Sequence, residues 1–197
     1  MKRVEAESLL KDAAASNPGP WVDHSRFAAT AAERISRATG AMDEDRSYVS
    51  GLLHDIGRYR GRFQNRHLID GYRYLSERGH AEIAKVCITH AFPVRHIEAA
   101  FGSWDCTDEE MAFIGDFISS TLFDEYDRLV QLCDFLASPN GFVIIEKRMV
   151  EVFLRYGPNQ YTVEKWKAAF ELKHEFDRRT GTNTYQLLDG IAENSLQ

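Results

Sequence analysis

Apolar residues recur at every third or fourth position along most of this chain, which is the spacing of an α-helix with one buried face. In residues 21–39, for example, Ala28, Ala31 and Ile35 fall on one face, and Gly40 follows as a helix stop. The same pattern predicts helices over residues 4–15, 43–57, 67–75, 80–91, 94–101, 107–119, 123–137, 142–156, 162–178 and 184–194. The only β-like run, Val143-Ile144-Ile145, is too short to count as a strand. The pattern therefore predicts an all-α fold, a helical bundle.

Two turn-forming segments and one capping pattern indicate where helices end and begin. Residues 17–20 contain two prolines and a glycine, and residues 138–141 read Ser-Pro-Asn-Gly, so neither segment continues a helix. The segment Thr107-Asp108-Glu109-Glu110 has the form of a capping box. At 197 residues the chain is long enough to bury a core without disulfide bonds. We therefore treat residues 1–197 as one helical domain.

The helix predicted over residues 43–57 ends in two polar residues at its buried end. Leu52 and its apolar neighbours form the buried stripe, and the adjacent His54 and Asp55 follow. We expect Gly57 to stop the helix in the left-handed conformation, where glycine costs least. A buried imidazole and a buried carboxylate are costly unless something pairs with them. A divalent metal is the obvious partner, because both side chains are common metal ligands.

Four further residues are candidate ligands. His24 lies in the first turn of an alanine-lined helix, and His90 lies at the end of another helix. His67 is followed four residues later by Gly71. Asp134 lies in an apolar run, where an unpaired carboxylate would be expensive. Each of these residues alone also fits a hydrogen-bonded core histidine or a salt-bridged aspartate, and only the set is specific.

A basic loop follows the His-Asp pair. It spans residues 58–66 and carries four arginines in nine positions, in a protein whose net charge is -6. A guanidinium group binds phosphate in a bidentate manner, so these arginines are candidate substrate-binding residues. The alternative is an ordinary solvated loop. The four residues are Arg58, Arg60, Arg62 and Arg66.

Composition excludes several classes of function. The acidic charge argues against an extended nucleic-acid partner, which favours a basic surface. No run approaches the ~18 apolar residues of a membrane span, and the first residues lack the apolar core of a signal peptide. The three cysteines are widely spaced and odd in number, as expected for reduced thiols. We therefore predict a cytoplasmic protein without a membrane partner.

Together, these residues resemble the HD superfamily of metal-dependent phosphohydrolases, whose signature is H…HD…D on a helical core. The stretch His54-Asp55-Ile56-Gly57 also matches the HDIG variant of that signature. The resemblance covers roughly residues 21–141 and leaves residues 142–197 as a C-terminal helical extension. It implies that one metal is held by His24, His54, Asp55 and Asp134. Two-metal members add two histidines, and the matching positions here are His67 and His90, so that Asp55 would bridge both ions.

The resemblance also implies a reaction. It is hydrolysis of a phosphate ester by metal-activated water, with Asp55, His54 and Arg58 as the candidate catalytic residues. The family often has lysine at the position of Arg58, and the arginine keeps the charge. Imidazoles and carboxylates suit one or two ions of Mn, Fe, Co, Ni or Zn, with Mg less favoured. Because the protein is acidic overall, we expect a small phosphorylated substrate such as a nucleotide.

Two other functions stay open. A few relatives of the superfamily use the same four-histidine, two-aspartate set as di-iron oxygenases. The third reading is a non-catalytic module that binds a metal or a nucleotide. The helices after Gly141 either shape the pocket or form a homodimer interface, and the sequence does not choose between them.

Overall fold

The computed structural model describes residues 1–196, and its fold is built from α-helices. About 69% of the chain is helical, so the prediction of an all-α fold is confirmed. Three short 3₁₀ helices span Ile56–Arg60, Ile97–Ala99 and Thr184–Leu187. The α-helices are α1 (Arg3–Ser16), α2 (Trp21–Thr39), α3 (Glu44–Leu53), α4 (Arg66–Ser76), α5 (Ala81–Thr89), α6 (Asp108–Ser120), α7 (Glu125–Leu136), α8 (Ile145–Tyr156), α9 (Thr162–Thr180) and α10 (Ile191–Ser195).

Local signals set many of the helix ends. The α2 helix has the predicted bounds, and Gly40 follows it in the left-handed conformation with φ of 65°. Thr107 and Glu110 form the predicted capping box at the start of α6. The segment 184–194, predicted as one helix, is instead a 3₁₀ turn followed by α10. The segment 94–101 forms only a three-residue 3₁₀ helix.

A small hairpin separates α7 from α8. Strand β1 (Ala137–Ser138) pairs antiparallel with β2 (Gly141–Phe142), so the predicted turn at 138–141 connects two short strands. These strands lie just before the β-like run noted in the sequence. Because β2 takes Phe142 out of the helix, α8 begins at Ile145, three residues later than predicted.

Close packing of α2 on α3 positions the start of the site. Gly51 of α3 lies against the backbone of α2: a Cβ added there would be 2.8 Å from the Ala29 Cα and 2.9 Å from the Ala28 oxygen. Such a close approach requires glycine on one helix and small side chains on the other. On its remaining faces, α2 packs against α7 and α9 through the apolar cluster that contains Ile35 and Phe176.

The helix that was predicted to run to residue 57 ends at Leu53, and the role predicted for Gly57 is wrong. Gly57 has no positive φ and lies inside the 3₁₀ helix. Its need for glycine is steric, since an added Cβ would be 2.0 Å from the His67 carbonyl oxygen and 2.4 Å from the Gly71 nitrogen. Gly57 therefore allows the backbone after Asp55 to touch the first turns of α4.

The remaining expectations concern thiols and membranes. Cys87, Cys106 and Cys133 are free, and two of them are buried, as predicted for reduced thiols. Within residues 1–196, none of the helices combines the length and apolarity needed to cross a membrane.

Candidate metal centre

Six side chains from five helical segments converge on one point in the fold. Each lies in the first turn of a helix, in its last turn or just beyond it, so that short segments of backbone carry the whole cluster. All of the side chains predicted as ligands are in this cluster, and five of the six residues are buried. They are His24 of α2, His54 and Asp55 after α3, His67 of α4, His90 after α5 and Asp134 of α7.

The first half of the cluster contains two histidines and an aspartate. His24 Nε2 lies 3.0 Å from Asp134 Oδ1 and 3.3 Å from His54 Nε2. His54 Nε2 lies 4.0 Å from the same Asp134 oxygen. The three donor atoms are within 4.8 Å of one another, which is a separation that one metal ion can span.

The second half of the cluster is centred on Asp55. Its Oδ1 lies 3.1 Å from His67 Nε2 and 3.8 Å from His90 Nε2. Its Oδ2 lies 3.9 Å from His54 Nε2, in the first half. Asp55 therefore directs one oxygen toward each half, and Oδ1 is buried without a hydrogen-bond partner among the described residues. This is the arrangement expected of a carboxylate that bridges two cations.

Backbone carbonyls orient three of the imidazole rings. The Nδ1 atoms of His54 and His90 lie 2.7 Å from the Gly51 oxygen and 3.0 Å from the Val86 oxygen. His67 Nδ1 contacts the Gln64 oxygen in the same way. A carbonyl accepts, so Nδ1 carries the proton in each ring and Nε2 keeps its lone pair. Each lone pair is thus directed toward the centre of the cluster, as in metal-binding histidines.

Comparison with known proteins agrees with this geometry. A family model described as the HD domain matches residues 21–137, which is more than half of the chain and includes all six residues. The chain belongs to the HD domain family. No curated protein and no solved structure gives a significant match. The resemblance noted in the sequence is therefore confirmed at the level of the family, which is generally one of metal-dependent phosphohydrolases.

Electrostatics keep the cluster of the HD domain in a form that can bind metal. Burial lowers the pKa values of His24 and His67, and it lowers the pKa of His90 to about 3. Burial would raise the pKa of Asp55, but Arg58, His67 and His54 together outweigh burial and hold that pKa well below its usual range. The pKa of Asp134 is lowered in the same way, since its interactions with His24, His54 and Arg148 together outweigh burial. Charged carboxylates and neutral imidazoles are the states that ligate metals.

Arg58 is in contact with the cluster. Its Nε donates a 2.6 Å hydrogen bond to Asp55 Oδ2, and one terminal nitrogen lies 3.4 Å from His67 Nε2. The lone pair of that His67 nitrogen can accept a hydrogen bond from the guanidinium or bind a metal cation, but it cannot do both at once. Arg58 therefore brings positive charge to the edge of the cluster.

A cavity of about 660 Å³ opens onto the cluster of the HD domain. Among the arginines predicted to bind substrate, Arg58 and Arg62 line this cavity. Arg66 and Arg60 lie outside its lining, because Arg66 pairs with Glu110 at 3.0 Å and the exposed Arg60 lies 3.8 Å from Asp70. The loop thus divides into cavity-facing and structural arginines.

The C-terminal helices supply three basic cavity residues that the sequence analysis missed. These are Arg148 and Arg155 of α8 and Lys165 of α9, and they lie beyond the range matched by the family. Arg148, Val152 and Arg155 recur at the spacing of one helical face, which was visible in the sequence. This spacing shows that α8 has a basic face, but it does not show which part of the fold that face lies against. Of the helices after Gly141, α8 and α9 therefore line the cavity.

Proposed function

We propose that this HD domain is a metal-dependent phosphohydrolase that acts on a small phosphate ester, in particular a nucleotide. The observation that carries the proposal is the geometry of Asp55. One of its oxygens faces His67 and His90, and the other faces His54, so the six side chains form two ligand groups with one shared carboxylate. With the protons of His67 and His90 on Nδ1, Asp55 Oδ1 receives no hydrogen bond from the described residues.

The donor set fits transition-metal cations. One ion would be held by His24, His54, Asp55 and Asp134, and a second by His67, His90 and Asp55. With four imidazole nitrogens and two carboxylates, the set suits Mn, Fe, Co, Ni or Zn more than Mg. When bound, such ions polarise the phosphoryl group and lower the pKa of water, so that hydroxide is available near neutral pH.

The protein's own side chains position the substrate. Arg58 places a guanidinium beside Asp55, and we assign to it the binding of phosphate oxygens. His54 holds the first ligand group in place through its contact with the Gly51 carbonyl. Asp55 ties the two ligand groups together. Arg58, His54 and Asp55 are accordingly the proposed catalytic residues.

The cavity favours a nucleotide over a simple phosphate. Its lining combines basic side chains with five aromatic ones, which offer stacking surfaces for a base. Its volume of about 660 Å³ lies in the usual range for small-molecule sites, and the net charge of -6 disfavours a polymeric phosphate. The aromatic residues are Trp21, Phe63, Phe101, Phe135 and Tyr156.

The test is metal analysis followed by a phosphatase screen. The purified protein is loaded with each candidate metal and assayed on nucleotides, cyclic nucleotides and sugar phosphates. We expect Asp55→Asn to lower both metal content and the rate of phosphate release, the latter by at least about 100-fold. Asp70→Asn is the matched control, because Asp70 is also a buried aspartate but lies outside the cluster and the cavity.

Three results would contradict the proposal. The first is full activity after removal of the metal, and the second is full activity in Asp55→Asn. The third is a protein that takes up iron and consumes O2 without releasing phosphate from any ester, which would establish the oxygenase alternative. A protein that cannot be loaded with any metal would instead indicate a non-catalytic module.

A further inference from the structure

Lys165 is a buried cation in the wall of the cavity. It lies on α9, and only 3% of its surface is exposed. Its Nζ lies 3.4 Å from the Ala91 carbonyl oxygen and 3.8 Å from the centroid of the Phe101 ring. Ala91 directly follows His90, so the ammonium group lies beside the proposed metal centre.

The fold pairs the other buried lysine, Lys173, and the half-buried Lys85 with carboxylates, but it does not pair Lys165. Lys173, on the same helix, forms a 2.7 Å ion pair with Asp177. Lys85 lies 2.6 Å from Asp127 and 3.0 Å from Asp124. Among residues 1–196, Lys165 has no carboxylate partner in an ion pair; Asp134 influences it only at longer range. A buried ammonium without a counter-ion is costly, and protein folds seldom retain one without a use.

The side chains around Lys165 indicate that its missing partner carries negative charge. Arg148, Arg155 and Arg62 line the same cavity, and Arg148 makes only a 3.9 Å contact with Asp134. A ligand in contact with Lys165 therefore meets several positive charges, together with any bound metal. Burial lowers the pKa of Lys165 to about 7, and an anion bound beside the ammonium group would raise this pKa again.

We infer that Lys165 binds a phosphate oxygen of the substrate, and that the C-terminal helix α9 thereby completes the active site. The inference rests on the proposed function, since it identifies the ligand of the cavity as a phosphate group. Arg148 of α8 is the second residue of this subsite. The family match ends before both residues, so this subsite belongs to the extension of this chain rather than to the shared HD domain.

The experiment is calorimetric titration of the manganese-loaded protein with inorganic phosphate. We expect Lys165→Met to raise the Kd for phosphate at least tenfold while leaving metal content unchanged. Lys165→Arg, which keeps the charge, should restore most of the affinity. Lys167→Met is the matched control because Lys167 is exposed on the same helix and its loss changes the net charge equally. It should leave the Kd unchanged.

The outcomes separate the two proposals. A Kd for Lys165→Met within twofold of the unaltered protein, with full metal content, would overturn the inference and leave the phosphohydrolase proposal standing. If no phosphate ester is hydrolysed by the unaltered protein, the proposed function fails, and the titration still tests Lys165. Should Lys165→Met not fold, as judged by circular dichroism, Lys165→Gln takes its place with the same expectation.

Discussion

Replacing Gly57 by alanine tests how the fold brings the two halves of the cluster together. The new Cβ would lie 2.0 Å from the His67 carbonyl oxygen and 2.4 Å from the Gly71 nitrogen. Both neighbours are backbone atoms, so neither can rotate away. Gly57 has no positive φ, so alanine carries no conformational penalty there and the effect is purely steric.

The size of the effect follows from these distances. A Cβ essentially never approaches a heavy atom closer than 3.0 Å, so the first turn of α4 must move by about 1 Å. Overpacking of this kind usually costs 1–3 kcal/mol, and we expect the upper end, about 3 kcal/mol, because the clash is with backbone on α4. His67 is on the displaced turn, 3.1 Å from Asp55 Oδ1. Metal–ligand distances tolerate only about 0.2 Å, so the second ligand group would lose its geometry.

Urea unfolding of the metal-free protein measures the loss of stability. Metal content after loading measures the loss of the second ligand group's geometry. Gly115→Ala is the matched control, since Gly115 lies within α6 and its added Cβ meets only the Ile97 side chain, at 3.7 Å. That change should stabilise the protein by about 0.5–1 kcal/mol. If Gly57→Ala keeps both the stability and the metal content of the unaltered protein, the steric explanation for Gly57 is wrong.

Three further predictions concern capping, pH and metal. Thr107→Ala removes the N-cap hydrogen bond of α6 and should lower the free energy of unfolding by about 1 kcal/mol, as measured in urea; an unchanged midpoint would contradict it. Burial lowers the pKa of Lys165 from 10.5 to about 7, so the unfolded chain binds more protons between these pH values. Stability of the metal-free protein should therefore rise with pH in this window, relative to Lys165→Met, by up to about 1.4 kcal/mol per pH unit. Equal slopes in urea titrations at several pH values would refute this. Metal at about 100 times its Kd should stabilise the protein by about 2.7 kcal/mol, and chelation should reverse the shift in Tm; the shift should be absent in Asp55→Asn.

The arginine loop shows what local sequence patterns cannot predict. Four arginines in nine residues predicted a phosphate-binding loop, but nothing in their spacing separates Arg62, which lines the cavity, from Arg66, which pairs with Glu110. Glu110 is 44 residues further along the chain, so that pairing depends on how α6 packs against α4. Gly57 is a similar case. A glycine after a helical pattern predicts a left-handed stop, whereas here the glycine is needed for contact with a helix that comes later in the chain.

The sequence by itself determined most of the helices, the residue types of the candidate metal centre and the family. Helical periodicity, Gly40 and the Thr107 capping box are local signals, and the order of His24, His54, Asp55 and Asp134 is a linear pattern. Only the tertiary structure decided which oxygen of Asp55 faces which histidine. It also decided that α8 and α9 line the cavity and that Lys165 lies there without a counter-ion. These features depend on contacts between segments that are far apart in the chain. Helical periodicity shows that a helix has a buried face, but it does not show which other segment that face packs against.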